Sequence, residues 1–214
     1  CRGTGGALLA PVCSAALKFD LAYVFKICQS FLRERDRSFV DARRHGLMNA
    51  HAVPLVRRAS NEAAVLPLLL LPGTVCDARL FGPLMAELDH PDMRVMEMTG
   101  AQSTLELAMK VLAEAPKRFA LLGFSLGGIV ALEMMAQAPE RIERLALIDT
   151  TPRPDPAANA KVRREVVEKA RKTGMDSYIL DAWDKLVSPA NAGDEKLKEI
   201  IVEMARDAGV DVLA

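Results

Sequence analysis

Residues 123–127 read Gly-Phe-Ser-Leu-Gly, a G-x-S-x-G pattern centred on Ser125. A serine hydroxyl in that setting is a candidate nucleophile for acyl transfer. The pattern carries chemistry only where a strand leads into it and a helix leads out. Both are expected here: RFALLG (118–123) reads as a short buried strand, and LGGIVALEMMAQAP (126–139) as a helix stopped before a proline. A strand that turns sharply into a helix holds the apex residue in a strained conformation and pushes its side chain outward. Gly123 and Gly127 are then small because strand and helix backbones nearly touch, and Gly128 gives more room.

The helix that begins at Leu126 aims free N–H groups and its positive dipole end at the serine oxygen. The Leu126 N–H is therefore one candidate oxyanion donor. The second should come from the loop after the first strand, LLPGTVCD (70–77), where Gly73 admits close backbone approach. Thr74 is the favoured donor there and Val75 the alternative. Gly73, Val75 and Phe124 are candidate pocket residues beside the serine. A phosphate-binding turn is the competing reading, but GFSLGG lacks both the G-x-G-x-x-G spacing and the G-K-[ST] ending.

The elements that must position these residues follow a regular order. LPLLLL (66–71) is a continuous apolar run suited to a strand buried on both faces. Residues 77–90 carry Leu80, Phe81, Leu84, Met85 and Leu88 at helical spacing. MRVMEM (93–98) is a second strand, and residues 103–116 form a helix with Ser103 or Thr104 as N-cap. RLALID (144–149) follows the elbow helix as a fourth strand. This alternation predicts an α/β fold with a parallel sheet and right-handed crossovers. Beyond the Pro-rich link 151–159, helices take over from about 156 to 208, divided at Gly174 and at SPANAGD (188–194). The division expected is an N-terminal extension (1–65), an α/β core (66–152) and a helical cap (153–214).

Composition excludes several classes. Lys+Arg and Asp+Glu are both 28, so no basic field points to nucleic acid. The segment 16–32 is too interrupted by charge for a membrane span. The four cysteines form no metal-binding or disulfide framework, which fits a reducing, cytoplasmic setting. The chain starts with Cys, its first methionine is Met48, and residues 1–47 either lie upstream of the natural start or form an N-terminal helix plus linker.

LLLLPGTVCDARLFGPL and LLGFSLGGIVALEMMAQAPERIERLALIDTTPRPD together resemble the α/β-hydrolase superfamily, and are most similar to small esterase-like members with a helical cap. The resemblance spans about 66–214. Many members have His-Gly where this chain has Pro72-Gly73. It implies a Ser-Asp/Glu-His hydrolase that acts on a small acyl substrate without metal or organic cofactor. A serine at the elbow argues against dehalogenase or epoxide-hydrolase chemistry.

In such folds the acid and histidine follow the serine along the chain. Here His45, His51 and His90 all precede Ser125. Asp149, at the end of the fourth strand, either orders the loop into the cap or is the candidate acid within the chain, and the acid and base are otherwise expected beyond residue 214. Two further strand–helix units of about 30 residues would require on the order of 60 residues. The expected function is hydrolysis of carboxylic esters or related acyl compounds by the full-length form, with this chain inactive. Thioesterase, acyltransferase or C–C hydrolase chemistry, or a non-catalytic binding module, are the alternatives. Cap residues Trp183, Tyr178 and Met175 either line the pocket or pack the cap helices together. The oligomeric state is not legible.

Overall fold

The computed structural model describes residues 65–88, 90–153 and 156–213. The expected N-terminal extension with His45 and His51 (all but Val65) and the residue Asp155 lie outside the described residues.

Four strands, β1 (Leu68–Leu71), β2 (Met93–Val95), β3 (Phe119–Phe124) and β4 (Ile142–Ile148), form one parallel sheet in the order β2-β1-β3-β4. Helices α1 (Ala78–Glu87), α2 (Thr104–Glu114) and α3 (Leu126–Gln137) connect them. The chain steps one way from β1 to β2 and the other way from β2 over β1 to β3. Right-handed crossovers therefore send α1 to one face and α2 and α3 to the other. The packing agrees. Leu69, Leu71, Phe119, Leu121, Leu145 and Leu147 pack with α2 and α3 residues such as Val111, Val130 and Met134. The alternate positions Leu68, Leu70, Ala120, Leu122, Ala146 and Ile148 pack with Phe81, Leu84 and Leu88 of the α1 side. Both faces are covered, so β1 reads as four consecutive leucines with no polar alternation.

Local chemistry sets the ends of the helices. Asp77 caps α1 by accepting from the Arg79 N–H at 2.8 Å, and Ser103 caps α2 by accepting from Glu106 at 3.2 Å. Arg141, in the turn after α3, donates to the carbonyls of Leu112, Ala115 and Pro116 and lies 5.7 Å from the centroid of the Phe119 ring. One side chain thus closes the C-terminus of α2 and stacks on the strand that leads to the elbow. β2 ends at Val95, three residues short of its expected end. It is an edge strand, and its residues are only half-buried or exposed.

The last part is helical. One helical run, α4 (Asn159–Leu186), is broken by non-helical geometry at Gly174 (φ 86°), a value that glycine adopts without steric cost. A 3₁₀ turn (Pro189–Asn191) and α5 (Glu195–Ala208) follow. These segments bury their own cluster, which includes Ala170, Met175, Ile179, Trp183, Val187, Val202 and Ala205. Val75, from the loop after β1, is part of that cluster. Arg79 reinforces the contact at the surface. It pairs with Asp77 beside that loop and reaches Asp207 of α5 at 2.5 Å. Among the described residues, no helix is long and apolar enough to cross a membrane.

Candidate active site

In an open parallel sheet, ligands bind beyond the carboxyl ends of the strands, where neighbouring connections leave to opposite faces. That point lies between β1 and β3, because α1 leaves β1 to one face and α3 leaves β3 to the other. The loop 72–77 and Ser125 both emerge there.

Ser125 stands between β3 and α3 with φ 52° and ψ −116°, a left-handed geometry that side chains disfavour. Its side chain makes no capping hydrogen bond to α3, and the residue is partly exposed. The strain is held by backbone bonds. The Ser125 N–H donates to the Ile148 carbonyl at 2.9 Å, and the Ser125 carbonyl accepts from the N–H groups of Gly128 at 3.0 Å and Ile129 at 3.3 Å. The Leu126 and Gly127 N–H groups, in the first turn of the helix, have no acceptor within it.

The glycines show why the turn can be this tight. A Cβ on Gly123 would lie 2.5 Å from the Gly127 carbonyl oxygen. A Cβ on Gly127 would lie 2.1 Å from the carbonyl oxygen of Leu71, so this glycine faces the end of β1 instead of the strand before the elbow. Gly128 leaves room that the Thr150 side chain occupies. A Cβ there would meet the Thr150 side chain at 2.5 Å. Thr150 went unnoticed in the sequence, and its hydroxyl donates to the Ser125 carbonyl at 2.8 Å. No local signal could have found it, since the two residues are 25 apart.

Gly73 is buried against the elbow. A Cβ there would lie 3.1 Å from the Phe124 ring and 3.3 Å from the Ser125 Cβ. The loop that carries Thr74 therefore lies directly beside the serine. Phe124 covers Gly73 from the strand side. Val75 is the second non-glycine residue at positive φ (57°) and is buried in the cluster of α4 and α5. That conformation costs a β-branched residue free energy, so packing on these helices holds the loop in place. Cys76 is partly buried. Its thiol is pushed up to about 11, chiefly by burial and further by the Asp77 charge, against a backbone hydrogen bond at Gly73. It is a neutral thiol near pH 7, not a competing nucleophile. Burial, and secondarily Cys76, raises the pKa of the Tyr178 phenol as well, and Tyr178 packs against the cluster that contains Val75.

Asp149 is exposed and is the third residue at positive φ (46°), one position beyond the carbonyl that binds Ser125. It stands on the same sheet edge as the serine. His90 does not. It precedes β2, and the neighbouring Asp92 carbonyl accepts from Leu68 N–H at the start of β1. Leu68 pairs with Ala120, five residues before Ser125, so about 16 Å of strand separates His90's end of the sheet from the elbow. Among the described residues no group of three His, Cys, Asp or Glu side chains is placed to hold a metal ion.

Trp183 is buried in the cluster of α4 and α5, and its indole N–H donates to the Ala192 carbonyl at 2.9 Å. That environment fits packing of the helices on one another. Trp183→Phe keeps an aromatic ring and removes that donor. We expect it to lower stability by about 1–2 kcal/mol and leave the KM for an acyl substrate unchanged. A changed KM at unchanged Tm would place Trp183 in the pocket instead.

A profile described as "alpha/beta hydrolase fold" matches residues 115–181, the stretch that holds the elbow, β4 and most of α4. The matched stretch and the fold are those of the α/β-hydrolase superfamily. Among its relatives is a pimeloyl-[acyl-carrier protein] methyl ester esterase of Pectobacterium carotovorum, 35% identical over 94 residues that cover 40% of this chain and 37% of that protein. The chain thus matches little more than a third of that relative's length. A hydrolase from Pseudomonas aeruginosa superposes with a TM-score of 0.57 at 28% identity, over 71% of this chain and 63% of the other. A thermophilic esterase from Thermogutta terrifontis reaches a TM-score of 0.59 at 22% identity, over 77% and 70%, and that match speaks for the shared fold. The parallel sheet and its covering helices are the common frame.

Proposed function

We propose that Ser125 is the nucleophile of a serine hydrolase that cleaves carboxylic esters or related small acyl compounds. The observation that carries this reading is the backbone at Ser125. A non-glycine residue held at φ 52°, with its side chain partly exposed and unused as a helix cap, fits a nucleophile that needs to be presented. The methyl ester esterase among the relatives supports an ester substrate.

On this reading the Ser125 Oγ bonds to the carbonyl carbon while the carbonyl π pair moves to its oxygen. The N–H groups of Leu126 and Thr74 stabilise that oxyanion. The hydroxyl proton passes to a base and from there to the departing alcohol, as the C–O bond breaks. Water then attacks the acyl-serine, the acid leaves, and Ser125 regains its proton. Leu126 and Phe124 flank the nucleophile, while Gly123 and Gly127 let the turn close. Residues 153–214 are the cap over this edge, and residues 66–152 the core. His90 is at the wrong end of the sheet, so the base lies outside the described residues. Asp149 is a candidate for the acid.

The same observation about His90 favours a second reading, a binding module that keeps the elbow without turnover. A fluorophosphonate probe separates the two. Labelling of the chain that disappears in Ser125→Ala supports the hydrolase. No labelling, with retained binding of an ester analogue, supports the module.

A further inference from the structure

We infer that Thr150 is a positioning residue for the reaction: its hydroxyl fixes the peptide that carries the Leu126 oxyanion donor. This rests on the reading of Ser125 as nucleophile. The peptide joining Ser125 and Leu126 is planar and trans, so its C=O and its N–H point in opposite directions. Whatever holds the carbonyl aims the N–H. Three donors hold this carbonyl: Gly128 N–H at 3.0 Å, Ile129 N–H at 3.3 Å and Thr150 Oγ1 at 2.8 Å. The first two belong to α3 and keep the carbonyl pointing down the helix. Thr150 follows β4 and ties the same oxygen to the sheet edge. With Ser125 N–H bonded to Ile148, the exit of β4 grips the elbow on both sides of the serine.

The Thr150 side chain is seated by Gly128. A Cβ on that glycine would come within 2.5–2.7 Å of the Cβ, Cγ2 and Oγ1 atoms of Thr150. The glycine leaves the space that lets the hydroxyl reach the Ser125 carbonyl. The free N–H of Leu126 then points out of the helix toward the partly exposed serine. A donor aimed in advance stabilises charge in the transition state without reorganising, and losing one such donor costs roughly 10²–10³ in rate. Misaiming it should cost part of that.

The test uses the full chain and three variants: Thr150→Val, which keeps the shape, Thr150→Ala, which leaves space, and Thr150→Ser, which keeps the hydroxyl. Each is assayed for Ser125 modification by a fluorophosphonate, for hydrolysis of a p-nitrophenyl ester, for Tm, and for the position of the Leu126 amide signal in NMR. We expect Val and Ala to slow Ser125 by about tenfold or more, with kcat lowered and KM unchanged. Ser should stay within about threefold of wild type. The Leu126 amide should shift in Val and Ala and not in Ser. Wild-type rates in Val or Ala overturn the proposal, as does a Ser variant as slow as Val. If wild type is not modified at Ser125, the nucleophile reading fails for this chain. The Leu126 amide alone then decides, and an amide that stays in place in Val and Ala overturns the proposal.

Discussion

Ser125→Gly should abolish reaction with a fluorophosphonate and at the same time raise the melting temperature above that of both wild type and Ser125→Ala. The two effects share one cause. At φ 52° and ψ −116° a side chain is strained, and such conformations cost of order 1–3 kcal/mol. Glycine removes that cost. It also loosens the unfolded chain, which takes back about 0.5–1 kcal/mol. Little else is lost, since the serine hydroxyl caps nothing in α3 and the residue is only partly buried. The net expectation is a gain of about 1 kcal/mol, or about 2–4 °C for an ordered region of this size. Alanine keeps the strain and should melt within about 0.5 kcal/mol of wild type. Both variants lose the proposed nucleophile, so modification should fall by at least 10³-fold. Thermal denaturation and probe labelling of the three proteins test this. A glycine variant that melts below the alanine variant would show that the strain is not there.

This position explains how much of the site was legible. The turn at Ser125 was readable because G-x-S-x-G is local, and because a strand buried on both faces appears as an unbroken apolar run. Leu68–Leu71 and Phe119–Phe124 have that form. Gly174 was readable as a break for a similar reason, since its positive φ is a local demand. The contacts across the sheet edge were not readable. Thr150 reaches Ser125 because β4 lies beside β3 and pairs Ile148 with Phe124. Register of that kind is a property of the pair of strands, and nothing in TTPRPD announces it. Trp183 has the same limitation. Apolar spacing places it on a helix face, but only the fold of residues 175–192 back on themselves supplies the Ala192 carbonyl for its indole. The ends of strands also escaped. β4 begins two residues before its expected start, where its pairing with β3 is irregular next to Phe119.

The Gly127 contact links stability to chemistry most directly. Gly127→Ala would bring a methyl group to within 2.1 Å of the Leu71 carbonyl oxygen and 2.6 Å of the Pro72 carbonyl oxygen. Both are backbone atoms of a fully buried strand end, so no side chain can swing aside. Either α3 or β1 must move by more than an ångström to reach an ordinary contact near 3.4 Å. Val130, Ala131 and Met134 of α3 are fully buried against the same sheet, and such a shift opens that core. Overpacking commonly costs 1–3 kcal/mol, and a backbone clash of this depth should exceed it, at about 4 kcal/mol. Against a total of roughly 5–15 kcal/mol, much of the protein would unfold or fail to accumulate. Gly82→Ala is the matched control. It lies in α1 with no atom beyond its chain neighbours within 4 Å of the added Cβ, and because Pro83 disfavours a helical alanine before it, the gain in helix propensity is offset and stability should stay within about 1 kcal/mol of wild type. The clash also acts on the site. The segment pushed away by Gly127→Ala leads into Gly73, which packs against the Ser125 Cβ, and into Thr74. Any folded Gly127→Ala protein should therefore hold Thr74, the proposed second oxyanion donor, farther from the serine, and react more slowly than its remaining stability alone explains. Urea titration and labelling rate per folded molecule measure the two parts separately. A Gly127→Ala protein as stable as Gly82→Ala would mean that α3 does not pack on β1 at this distance.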